Sequence, residues 1–185
     1  MKRTFAILFF VLTTISVSAV YQPVFGQDDE AARNRTRDQL AKLLDRTGSD
    51  IKVTFSQSQK QPYNYVGTLR SGLVNADSFE IVISVTPKET IGFRIYPHYK
   101  NGYINVDKVK NSASLMRLLL RLSDRAFLYW GADEAGDIFT GYTFTLESGF
   151  PDEAIKIVLR SIVNSDKFVG EMRPFIDGSA AGAVK

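Results

Sequence analysis

The sequence predicts an α+β fold, in which helices pack on one antiparallel sheet in the order α-β-β-β-β-α-β-β-α. Positions 127–149 read as two aromatic strands joined by a tight acidic turn, with a helical pattern on either side. Positions 79–85 and 91–95 alternate apolar and polar side chains, which is the period of a half-buried strand. With 185 residues, 44% of them hydrophobic, the chain can bury one core and is expected to form one domain.

The N-terminus has the layout of a secretory signal peptide. Cationic Met1-Lys2-Arg3 precedes an apolar stretch at 5–20, and small residues stand at Ala19 and Gly26. We expect cleavage after Gly26, with Ala19 as the alternative. This divides the chain into a signal peptide at 1–26, a single α+β domain at 27–177 and a disordered tail at 178–185. The mature protein is then exported, to the periplasm or outside a bacterial cell.

The net charge and the cysteine content argue against a nucleic-acid partner and against disulfide bonds. Cleavage removes two basic residues and no acidic one, so the formal charge falls from +3 to +1, which gives no reason to expect nucleic acid. The chain has no cysteine, so packing alone must hold the domain together. No later apolar run reaches membrane-spanning length, so no stable span is expected after cleavage.

The first half of the chain predicts one helix and four strands. Gly48 suits a left-handed cap at the end of the helix. Asn101-Gly102 is a good turn dipeptide, although its flanking runs make only a weak hairpin. The expected elements are a helix at 28–46 and strands at 51–56, 63–69, 79–85 and 91–95.

Two helical patterns enclose the aromatic hairpin. The pattern at 112–123 has a broad apolar face, which implies burial on more than one side, either in the fold or at a subunit interface. Its arginines Arg117, Arg121 and Arg125 share one face, most simply the solvated one. Pro151 opens the last helix, 164–165 is expected to interrupt it, and Pro174 to end it. The apolar face of the first helix comprises Leu115, Met116, Leu118, Leu119, Leu120 and Leu122.

The hairpin has side chains on two faces. Strand alternation directs Phe127 and Tyr129 one way and Leu128 and Trp130 the other. Gly136 can take the positive φ that the turn between the strands demands. Rings on both faces cannot all enter a single-sided core, so either both faces are covered or one subset meets a partner.

No motif supports catalysis, a cofactor or a metal. His98 is the single histidine, and no nucleophile elbow or phosphate-binding glycine loop accompanies it. Asp133, Glu134 and Asp137 lack the spacing of a calcium loop, so a solvated turn explains them better. The chain is therefore expected to be non-enzymatic, with no cofactor and no metal site.

The segment 105–150 resembles the YbjN family. The resemblance is carried by the leucine-rich run 118–123, the aromatic strand, the acidic glycine turn 131–138 and a helix opened by Pro151. Proteins of that family are described as bacterial sensory transduction regulators, and their domain is similar to the type III secretion chaperone fold. The resemblance implies helices packed on an antiparallel sheet, a protein-binding role that is often dimeric, and no catalytic residues. This chain differs from the typical member in its export signal.

These features predict an exported domain that binds a protein or peptide, as a chaperone or regulator in the cell envelope. A second copy of the chain is a further candidate partner. The alternative is a carrier that holds a small ligand or lipid between sheet and helices, and the third hypothesis is a hydrolase that uses the acidic turn. The predicted partner-binding residues are Phe127, Tyr129, Trp130, Tyr142, Leu115 and Leu119.

Overall fold

A computed structural model describes residues 25–88 and 90–179, and its fold is α+β. The predicted fold class is confirmed. The predicted signal peptide at 1–26 lies outside the described residues except for its last two positions, and the predicted tail lies outside them after 179. The helices are α1 (Phe25–Asp50), α2 (Ser112–Arg125), α3 (Asp152–Ser161) and α4 (Asp166–Asp177). The strands are β1 (Ser56–Gln57), β2 (Asn64–Leu69), β3 (Ser78–Val85), β4 (Thr90–Tyr99), β5 (Gly102–Tyr103), β6 (Tyr129–Ala132) and β7 (Ile138–Thr145).

The strands form one open antiparallel sheet. Its order is β1-β2-β3-β4-β7-β6, and the short β5 pairs with the end of β4. The hairpin β6–β7 joins the sheet through β7, which pairs with β4. The long strands β3, β4 and β7 therefore lie side by side at the centre. The short β1 and β6 form the two edges, and short edge strands offer little backbone for unwanted pairing.

The helices supply buried residues to one face of the sheet. Strand positions on that face are fully buried and join the buried leucines of α1 and α2 in a single core. The positions between them point to the opposite face, which we call the open face. The core side chains of the three central strands are Phe79, Ile81, Ile83, Val85, Ile91, Phe93, Ile95, Ile138 and Phe144.

Helix α1 is longer than predicted, and its end differs from the expected cap. It continues to Asp50, and the left-handed residue is Lys52 at φ 56°, not Gly48. A Cβ on Gly48 would lie 2.4 Å from the Val53 carbonyl oxygen, so this glycine is required by close backbone approach. Arg33 holds the first turns, since it donates twice to the Val85 carbonyl and its guanidinium lies 3.5 Å from the Tyr63 ring centroid.

The strand predicted at 51–56 is mostly an extended segment without sheet pairing. Only Ser56 and Gln57 pair, with β2. The predicted sidedness is nevertheless correct, because Val53 is buried while its neighbours are exposed. Val53 and Phe55 lie over Gly67 of β2, where a Cβ would come within 2.6 Å of Val53. The segment therefore packs on the sheet face and covers β2.

The turn predicted at Asn101-Gly102 is shifted by one residue. Tyr99 pairs with Gly102, and Lys100 and Asn101 between them have φ of 56° and 63°. Two central residues with positive φ are typical of a type I′ hairpin turn. Asparagine therefore occupies the second central position, and glycine begins the next strand.

The last helical segment is interrupted as predicted but does not end at Pro174. A 3₁₀ turn at Ile162–Ser165 joins α3 to α4, and α4 continues past the proline to Gly178 at φ 78°. Two carbonyls at its end, those of Phe175 and Ile176, accept backbone N–H groups at 111 and 110. Tertiary hydrogen bonds thus stabilise a helix end that the local sequence does not favour.

Candidate functional site

The acidic turn between β6 and β7 is held by its own hydrogen bonds. One Asp133 carboxylate oxygen accepts the N–H groups of Ala135 and Asp137, each at 3.0 Å. The buried Asn105 donates to the Ala135 carbonyl at 2.7 Å and to Asp137 at 2.8 Å. Gly136 has the predicted positive φ, 81°. These contacts explain the carboxylates structurally, and within the described ranges no acidic, histidine or cysteine cluster is suited to a metal ion.

The six predicted partner-binding residues do not share one surface. Leu115, Leu119 and Trp130 are buried to 0%, 2% and 6% exposure, so they belong to the core in this conformation. Tyr142 is partly buried and packs against Phe144 at 4.8 Å between ring centroids. The predicted alternation is correct for Tyr129 and Trp130 within β6, but wrong for Phe127, which precedes the strand and stacks on Tyr142 instead of sharing the side of Tyr129.

Phe127 and Tyr129 are the two predicted partner residues that reach solvent, at 58% and 41% exposure. They lie in different surroundings. Phe127 precedes β6 and stacks on Tyr142, with centroids 5.1 Å apart. Tyr129 instead lies on the open face, edge-on to Phe139 at 6.0 Å. The aromatic hairpin thus presents one ring beside the helices and another on the opposite side of the sheet.

The backbone edge of β6 is covered by α2. The Ser123 hydroxyl accepts the Trp130 N–H at 2.8 Å and lies 3.1 Å from the Trp130 carbonyl oxygen. A free edge strand would present these groups to another chain. Because α2 occupies them, side chains and not strand pairing must provide any contact made at this edge.

The outer side of α2 carries exposed apolar and basic residues. Met116 and Leu120, one turn apart, are 39% and 69% exposed, so the predicted burial of this helix on more than one side is wrong for the monomer. Arg117 and Arg121 are exposed beside them, whereas Arg125 pairs with Glu171 of α4. We call Met116, Leu120 and Phe127 the α2 rim, and two arginines flank it.

The open face of the sheet holds a second candidate site that the sequence reading missed. A concavity of about 470 Å³ lies over β3, β4 and β7. Arg94 is exposed there, with its guanidinium carbon 5.0 Å from the Phe139 ring centroid. The signal in the sequence was Gly92 and Arg94, which alternate with the apolar positions 91, 93 and 95 of the predicted strand.

Tyrosines at one end of this face are linked to carboxylates. Tyr103 donates to Glu80 at 2.9 Å, and burial together with that hydrogen bond raises the pKa of Tyr103 to about 12. Tyr96 donates to Asp133 at 3.2 Å, and burial raises the pKa of Tyr96 as well. His98 lies against Tyr103, with ring centroids 4.3 Å apart. These tyrosines remain neutral at physiological pH and act as hydrogen-bond donors.

A smaller cavity of about 230 Å³ lies between α1 and the end of the sheet. Its lining includes Arg33, whose guanidinium is already bonded to the Val85 carbonyl. Binding pockets for small molecules usually measure about 300–1,000 Å³. This cavity is below that range. A cavity of about 360 Å³, lined by residues from the ends of α1 and β2 and from α3, falls within it, so the carrier alternative stays a prediction.

Comparisons with known proteins give no further identification. No family model, no curated protein and no solved structure matches the chain. The resemblance to the YbjN family therefore stays a prediction. Among residues 25–88 and 90–179, no helix has both the length and the apolar character needed to cross a membrane.

Proposed function

We propose that this protein is an exported, non-enzymatic domain that binds a protein or peptide, with a chaperone-like or regulatory role in the cell envelope. The observation that carries the proposal is the α2 rim: Met116 and Leu120 on the outer side of α2, and Phe127 just after the helix end, are 39–69% exposed. Exposed apolar groups that stand together on a rigid element are typical of interaction sites.

Rigid support strengthens the proposal. Leu115 and Leu122 on the inner side of α2 are fully buried, so the helix is anchored while its outer side stays free. The Asn111 side chain caps its first turn, accepting the Ser114 N–H at 3.3 Å. The rim is thus pre-organised, which lowers the entropy cost of binding.

The charged side chains beside the α2 rim indicate which kind of client segment would bind there. Arg117 and Arg121 lie beside the apolar positions, and no described carboxylate lies within 4 Å of either guanidinium in an ion pair. A client segment with apolar side chains and flanking acidic residues would complement both features.

The test measures whether the purified mature protein suppresses the aggregation of an unfolding client enzyme, with light scattering as the readout. We expect Leu120→Glu and Phe127→Glu to lose most of the protection, because a carboxylate on the rim opposes apolar contact. The matched control is Ile157→Glu on α3, since Ile157 is as exposed as Phe127, at 58%. A wild-type protein without protection, or equal loss in all three variants, would contradict the proposal.

The mass of the same variants in solution separates two kinds of partner. If a second copy covers the rim, the wild-type protein is a dimer and Leu120→Glu is a monomer. If the rim serves a different protein, both have the same mass while protection still differs.

A further inference from the structure

We infer that the concavity on the open face is a binding site for a sugar acid, a small saccharide that carries one carboxylate. This site is distinct from the α2 rim and goes beyond the proposed function. At about 470 Å³, the concavity falls within the usual range of ligand pockets. Its floor, its walls and its charge each point to the class of ligand.

The floor of the concavity is Gly92. In the sheet register, Gly92 lies between Ser84 of β3 and Thr143 of β7, so a gap separates two hydroxyl side chains on the same face. A Cβ built on Gly92 meets no atom within 4 Å, and its φ is not positive. Neither backbone conformation nor crowding requires a glycine here. The effect of the missing side chain is to keep the trough open.

An aromatic wall stands next to this floor. Gly141 of β7 pairs with both Arg94 and Tyr129, and a Cβ on Gly141 would lie 2.9 Å from the Tyr129 hydroxyl oxygen. The Tyr129 ring therefore extends over β7 toward β4, and it is 41% exposed. An exposed ring at the side of a polar trough suits the apolar C–H face of a sugar ring.

Arg94 supplies the charge. Of the twelve residues that line the concavity, Arg94 is the one charged side chain, and none is acidic. Two carboxylates beside Tyr96 are already engaged, Asp133 by the Tyr96 hydroxyl and two backbone N–H groups, and Glu80 by the Tyr103 hydroxyl. A planar guanidinium binds a carboxylate through two parallel hydrogen bonds. One cation without a second basic group favours a monoanion over a phosphate dianion.

The remaining lining selects for hydroxyl groups on the ligand. Gln61, Asn64 and Ser84 on one side of Gly92, and Thr143 on the other, offer both donors and acceptors. A simple aliphatic carboxylate would leave these groups to water. A sugar acid would satisfy the guanidinium, the ring and the hydroxyl-binding groups together.

The experiment is a titration of the ¹⁵N-labelled mature protein with D-glucuronate, followed by amide chemical shifts. D-glucose, acetate and inorganic phosphate are titrated in parallel. We expect saturable shifts at β3, β4 and β7 with glucuronate at millimolar concentration, and binding roughly tenfold or more weaker for the other three. Absence of shifts at these strands, or equal binding of acetate or phosphate, would overturn the inference.

Two variants assign the site. Gly92→Val fills the trough and should abolish glucuronate binding, whereas Gly102→Val, where a Cβ also meets nothing within 4 Å, should not. Arg94→Gln should weaken glucuronate binding roughly tenfold while leaving any binding of glucose unchanged. Its control is Arg70→Gln, at an exposed arginine just after β2. Chemical denaturation shows that each variant is folded, so unchanged affinity in folded Gly92→Val or Arg94→Gln would count against the site.

Discussion

The two faces of strand β4 have different roles: the covered face stabilises the fold, and the open face is accessible for binding. Ile91, Phe93 and Ile95 are completely buried on the covered face. Gly92, Arg94 and Tyr96, which alternate with them, look out over the open face and remain accessible. A substitution on the covered face should therefore change the free energy of unfolding, whereas one on the open face should change what the protein binds.

The largest expected effect is on stability, and it compares two neighbouring residues of β6, Trp130 and Tyr129. Trp130 is 6% exposed and packs edge-on against Phe168 of α4, with centroids 6.1 Å apart. Trp130→Ala should lower the free energy of unfolding by about 3–5 kcal/mol, because it leaves a cavity between sheet and helices. Urea denaturation measures the change.

Tyr129→Ala is the matched control on the next residue. Because Tyr129 is 41% exposed, its removal should cost only about 1 kcal/mol. Equal losses for the two variants would remove the distinction between the faces at β6. If Trp130→Ala lowers the free energy of unfolding only slightly, Trp130 is not a core residue and is again a candidate for partner binding.

A smaller effect compares two glycines, one on each face. A Cβ on Gly67, on the covered face, would lie 2.6 Å from Val53 and 2.7 Å from Phe55, so Gly67→Ala should cost about 1–3 kcal/mol. Gly92→Ala should be neutral or stabilise by about 0.4–1 kcal/mol, since the unfolded chain loses freedom and nothing clashes. Opposite signs in thermal or urea denaturation are the expected result. A stable Gly67→Ala protein would mean that the segment around Val53 moves away easily.

The smallest expected effect is a dependence of stability on pH, caused by Tyr103 on the open face. The folded pKa of Tyr103, about 12, is above the ordinary value of 10.0, so the folded state holds this proton more tightly. The stabilisation is complete below about pH 10 and is lost as pH rises toward 12. Tyr103 is 43% exposed, which keeps the effect modest.

Tyr103→Phe tests the origin of that dependence. The variant keeps the ring and removes the hydroxyl that donates to Glu80. Its stability should decline less steeply between pH 10 and 12 than that of the wild-type protein. Identical curves would assign the alkaline loss to other groups.

Much of the fold could be predicted from local pattern. The alternation at 79–85 and 91–95 identified the central strands, and the apolar spacing at 112–123 identified α2, because side-chain period depends on the backbone alone. Gly136 was recognised for the same reason, since a positive φ is a local requirement. Where the prediction failed, the deciding contact lay outside the local pattern: at Gly48 it comes from Val53 just after the helix, and near Pro174 from Lys110 and Asn111.

The candidate sites were less accessible to sequence reasoning. Leu119 and Leu120 are equally apolar, and sequence gave no reason to separate them, yet one is 2% and the other 69% exposed. Gly92 and Arg94 alternate with apolar residues as in many half-buried strands, and only the tertiary structure places Tyr129, from the later strand β6, beside them.

The sequence by itself thus determined the fold class, the position of the hairpin and the alternation of its side chains, since these follow from short-range periodicity and turn conformation. The tertiary structure alone decided which alternating set is covered, that α2 closes the edge of β6, and that Arg94 and Tyr129 line one trough. Those outcomes depend on contacts between residues far apart in the chain. Their energies come from burial and packing, which no local pattern specifies.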